Sequence, residues 1–102
     1  MGAPYIRGGR PLTLRGTAAS GVVEQWSWVE HGSSNWIHFE NLDVVPIILG
    51  WSAAEVTAAV AAGAGFQVPA GRTVELPIEV GAFWTAGVGA DADFVAVIAT
   101  RR

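Results

Sequence analysis

The sequence predicts an all-β chain, an antiparallel sandwich or barrel with at most one short helix. Three observations carry that prediction. Short runs rich in Val, Ile, Phe and Trp recur at about 8–12 residues, the strand spacing of such folds. Gly, Pro and Asn punctuate the runs and supply the turns between them. A helical signature is confined to residues 52–63.

The first twenty residues have Gly at 2, 8, 9 and 16, Pro at 4 and 11, and no sustained periodicity. They read as an extended arm, with one short strand at most near Leu12 to Leu14. "VVEQWSWVE" (22–30) is a strand with Trp26 and Trp28 on one face and Val23 and Val29 on the other. "HGSSN" (31–35) is a turn, which predicts a hairpin into "NWIHFE" (35–40), where Ile37 and Phe39 share a face. "NLD" turns the chain again. "VVPIILG" (44–50) is a nearly continuous apolar strand, and Pro46 places part of it at an edge or bulge.

Ser52 with Glu55 makes a capping-box pattern, Val56 and Val60 stand at i,i+4, and Gly63 supplies a stop. The Ala-rich run predicts a helix of about two turns. Its nearly absent polar face leaves an irregular small-residue loop as the alternative. "GFQVPAGRTVELPIE" (65–79) reads as a hairpin around a Pro69-Ala70-Gly71-Arg72 turn, with Pro69 fixing φ and Gly71 supplying φ > 0. Beyond the turn, Val74, Leu76 and Ile78 alternate with Thr73, Glu75 and Pro77. "AFWTA" (82–86) is a short strand, "GVGADAD" (87–93) a loop, and "FVAVIAT" (94–100) a final buried strand.

At 102 residues this is one domain with a thin core. Hydrophobic residues make up 51% and charged residues only 15%, with five tryptophans and a mean hydropathy of +0.37. That excess of apolar side chains predicts a subunit covered by neighbours. There is no cysteine, which excludes disulfides and thiolate metal sites. No run is long enough for a membrane helix, and residues 1–20 lack the apolar stretch of a secretory signal, so synthesis inside the cell is expected. Net charge is −3, unevenly spread: Arg7, Arg10 and Arg15 precede any acid, Arg101 and Arg102 close the chain, and the acids lie between Glu24 and Asp93.

Chemistry is sparse. His31 in a turn and His38 in a strand have no nucleophile elbow or metal-ligand spacing around them. Asp91 and Asp93 lack the remaining positions of a calcium loop and read as a solvated turn. A single Arg-Gly-Gly at residues 7, 8 and 9 is weak as an RNA signal, and the acidic body disfavours nucleic acid. The tryptophans suit core and interface packing, with a sugar-stacking platform as the alternative. No catalytic residue, cofactor or metal is expected.

The stretch from residue 41 to 79 resembles small virion accessory proteins of tailed bacteriophages. The matching positions are Asn41, Pro46, Ile47, Gly50, Ser52, Ala53, Val56, Thr57, Gly65, Phe66, Pro69, Ala70, Gly71 and Leu76, with "DFVAVIAT" as closing strand. The resemblance implies a β-sandwich that coats a capsid or forms part of a tail by binding rather than turnover. The reading is then a single antiparallel β-sandwich (21–102), jelly-roll-like, behind a basic N-terminal arm (1–20). Its expected role is a capsid decoration (cement) protein in the virion, homo-oligomeric and bound to the major capsid protein. A tail or fibre component and a carbohydrate-binding host-attachment module are the alternatives. Partner contacts are expected from Tyr5, Ile6, Arg7, Arg10, Leu12, Leu14 and Arg15 of the arm, and from Trp26 and Trp28. Pro69 and Gly71 are expected to be structural.

Overall fold

The computed structural model describes residues 12–28, 36–77 and 81–99. Strands there are β1 (Leu12–Ala18), β2 (Glu24–Ser27), β3 (Trp36–Asn41) and β4 (Ile47–Gly50). Helix α1 (Ala53–Ala62) follows, then β5 (Gln67–Val68), β6 (Thr73–Pro77), β7 (Ala82–Gly87) and β8 (Ala92–Ala99). They form two four-stranded antiparallel sheets, ordered β1-β8-β3-β6 and β2-β7-β4-β5. Within each sheet, first pairs with last in a nested series: β1 with β8, β2 with β7, β3 with β6, β4 with β5. This is one long antiparallel ribbon rolled up on itself, the winding of an eight-stranded jelly roll.

The pleat decides which side chains enter the core. On β3 the alternation buries Ile37 and Phe39 and turns His38 and Glu40 outward. The central strand β8 alternates small and large inward residues, Ala92, Phe94, Ala96 and Ile98. Ala96 lies between Leu14 on β1 and Phe39 on β3, and its small side chain leaves room for both. Phe39 stacks on Phe94 at 4.9 Å and meets Phe83 edge-on at 5.7 Å. Such contacts add about 0.5–1.5 kcal/mol each beyond burial.

β4 is buried on both faces for two different reasons. Ile47 and Leu49 enter the sandwich, while Ile48 packs outward under α1 with Val56, Ala59 and Ala86. The helix sits so close that a Cβ on Gly50 would lie 2.6 Å from Val56 Cγ2. α1 starts where its sequence predicts: Ser52 Oγ accepts from the Glu55 N–H, and Glu55 Oε1 accepts from the Trp51 N–H. Gly63 ends it at φ 66°. The helix runs ten residues rather than about two turns, because it has a strand face to lie on.

Three expectations are corrected. The boundary between arm and sandwich lies before Leu12, since all seven residues of β1 pair with β8 and its inward residues join the core. Residues 1–11 of the arm lie outside the described residues. Secondly, β2 and β3 do not pair, because they belong to opposite sheets. Thirdly, the two strands around Pro69–Arg72 are not a hairpin: β5 pairs with β4, and β6 pairs with β3.

The turn itself is present. The Arg72 N–H donates to the Pro69 carbonyl at 3.1 Å, Gly71 has φ 70°, and no described non-glycine residue has positive φ. Positive φ at the third position alone is the type II pattern, which splays strands apart instead of pairing them. It carries the chain from one sheet to the other. A Cβ on Gly71 would meet nothing within 4 Å, so substitution tests backbone strain alone. Gly71→Val is expected to lower stability by about 1–2 kcal/mol, and Ala70→Ser to leave it unchanged. Equal melting temperatures for Gly71→Val and the parent would show that the turn is wrongly assigned.

Candidate interaction surface

The rolled ribbon throws four connections to one end: residues 19–23, 42–46, 69–72 and 88–91. Backbone and side-chain bonds lace them together. The Gly21 N–H donates to the Gly87 carbonyl and the Gly87 N–H to that of Ala19. The Val88 N–H donates to the Pro46 carbonyl, and the Leu42 N–H to that of Asp93.

The side chains at this end mostly serve the same purpose. Asn41 is fully buried; its Nδ2 donates to the carbonyls of Val45, Val68 and Pro69, and its Oδ1 accepts from the Asp43 N–H. Asp43 accepts from the N–H groups of Val44 and Asp93, Asp91 from that of Ser20, and Asp93 from the Thr17 hydroxyl. The carboxylates therefore hold loops in place. They also leave the end acidic, with Arg72 as its one base among the described residues.

On this laced frame stand three exposed aliphatic side chains, Val22 (53%), Leu42 (49%) and Val44 (84%). Large apolar groups left in water by a rigid frame are what an interaction site presents, because little further ordering is needed on binding. Phe66, the fourth exposed large apolar residue among those described, immediately precedes β5.

The residues expected to bind a partner are dispersed. Tyr5, Ile6, Arg7 and Arg10 lie outside the described residues. Leu12 and Leu14 are half-buried against the core, and Arg15 is exposed on the outer face of β1. Trp28 is 2% exposed and cannot contact a partner; its ring packs on Phe83. Trp26 is half-buried, edge-on to Phe94, with its Nε1–H donated to Thr85 Oγ1. Both point inward: Trp26 lies on the core-facing side of β2, and Trp28, just past the end of β2, joins the core on the same side. All five tryptophans are described: Trp28 is buried, and Trp26, Trp36, Trp51 and Trp84 are half-buried.

Sequence reasoning missed Val22, Leu42 and Val44. Pro46 was the available signal: β4 starts only after it, at Ile47, which puts Val44 in the loop. His38 sits away from this end, its Nδ1 2.8 Å from Glu75 Oε2 across the β3–β6 pair, on the outer face of the sheet. His31 is outside the described residues. Among the described residues no cluster of His, Asp or Glu is placed to hold a metal, and no helix is long and apolar enough to cross a membrane. Compared with known proteins, the chain matches no family model, no curated protein and no solved structure.

Proposed function

We propose that the chain is a non-enzymatic structural protein of a phage virion, a capsid decoration subunit that binds across joints between major capsid proteins. The observation that carries this reading is the laced loop end, on which Val22, Leu42 and Val44 stand exposed. Two further points support it. Jelly rolls recur in viral capsid proteins, an analogy of fold rather than of site. The strand and turn residues between 41 and 79 resemble virion accessory proteins. Many copies, each burying apolar area on two neighbours, would oppose the pressure of packaged DNA.

Cosedimentation of the purified chain with capsids assembled without it tests the reading. Saturable binding is expected, and weaker binding for Val44→Arg at unchanged melting temperature. Binding to tails but not capsids would move the chain to the tail. A chain that binds neither particle ends the virion reading.

A further inference from the structure

We infer that the acidic loop end receives the N-terminal segment of a second copy of this chain, residues 4–11, so that copies join head to tail. The inference rests on the reading of the loop end as an interaction surface, and names a second copy, rather than the capsid, as what occupies it when no particle is present. Charge is split unevenly along the molecule: Arg72 offsets one carboxylate at the loop end, and Glu30 and Glu79, in the sequence between strands that meet at the opposite end, offset part of the basic charge there. The loop end carries Asp43, Asp91 and Asp93 beside exposed Val22, Leu42 and Val44. The chain enters the sandwich at the other end, where Leu12 pairs with Ile98, and Arg7 and Arg10 precede Leu12 in the sequence. Arg101 and Arg102 follow Ala99 and are tethered to that same end.

The segment "PYIRGGRP" matches the loop end in kind, with two arginines for the carboxylates and Tyr5 and Ile6 for the aliphatic side chains. Exposed ion pairs contribute little on their own. The apolar contact supplies most of the affinity, and the arginines fix register.

Reach decides between the chain's own loop end and another's. Ala18, beside the loops, stands roughly 20 Å along β1 from Leu12. Arg10 is two residues before Leu12 and stays within about 7 Å of it. A hairpin back along β1 with a two-residue turn would set Arg7 opposite Leu14, roughly 13 Å short of Ala18. Arg10 therefore cannot reach its own loop end and Arg7 does so only when fully extended along β1, so docking on a second copy is the arrangement that engages both arginines. Such a contact uses two different surfaces, so it propagates or closes into a ring.

Two variants separate donor from acceptor. A chain lacking residues 2–10 keeps the loop end and all of β1; Val44→Arg keeps the N-terminal segment and places a like charge where it docks. Light scattering and sedimentation velocity on the full chain should show mass rising with concentration. Each variant alone should be monomeric with an unchanged melting temperature, and mixing the two should give a 1:1 dimer that grows no further. Raising salt should weaken association only about two- to fivefold. The inference is overturned if the mixture stays monomeric, or if either variant assembles like the parent. These measurements contain no particle, so a monomeric parent would overturn head-to-tail joining while capsid binding is judged separately.

Discussion

A chain lacking residues 2–16 should fail to fold, whereas one lacking residues 2–10 should melt like the parent. The longer deletion removes Leu12–Gly16, five of the seven residues of β1. It takes Leu12 and Leu14 from the core and strips β8 of its neighbour on one side. β8 is central to its sheet, and an apolar strand left with an open edge invites aggregation as well as unfolding. Half-buried leucines contribute roughly 1–2 kcal/mol each by area, and the lost ladder bonds add several more times about 1 kcal/mol. Against a total stability of about 5–15 kcal/mol for a domain of this size, the sum is decisive. Near-ultraviolet circular dichroism and thermal melts would show it. A cooperative melt within a few degrees of the parent would make β1 dispensable and restore the arm as far as residue 16.

That result depends on pairing, which the sequence conceals. Local features were legible. Ile37 and Phe39 share the buried face of β3, Val74 and Leu76 alternate with exposed Thr73, Glu75 and Pro77, and Ser52, Glu55 and Gly63 bound the helix. Each depends on neighbours within a few residues. Strand partners do not: Leu12 pairs with Ile98, and the register joining them leaves no mark on either stretch. Proximity in sequence suggested hairpins at 22–40 and 65–79, while the rolled ribbon places each pair of strands in opposite sheets. Trp26 and Trp28 show the same limit on a smaller scale. Alternation put them on one face, but only the tertiary arrangement made that face the inside. The loop end was the least legible feature, because its frame is built by contacts between segments distant in the chain.

Asn41 is where that frame should break most severely. Asn41→Leu keeps the side chain's approximate size and removes its polar atoms. The amide is fully buried, with donor distances of 2.8, 3.1 and 3.2 Å to the carbonyls of Val45, Val68 and Pro69, and 2.9 Å from the Asp43 N–H to its Oδ1. Its two hydrogens serve three carbonyls, so one bond is shared. After substitution three carbonyls and one N–H lose this partner. A buried polar group left unpaired costs about 1–3 kcal/mol, less where water can reach it. The contacts to Val45, Pro69 and Asp43 are only part-buried, so the expected loss is about 3–5 kcal/mol rather than the full sum. For a domain of this length that corresponds to a melting temperature lower by roughly 15 °C or more. Hydrogen exchange should speed first at the neighbouring loops, around Val45 and Arg72, since the Asn41 backbone N–H also donates to the Arg72 carbonyl. Leu42→Ser, one residue away and half exposed, should change stability by less than about 0.5 kcal/mol. A loss below 1 kcal/mol for Asn41→Leu would mean that the loops hold their shape without the amide, and the rigid frame beneath Val22, Leu42 and Val44 would lose its basis.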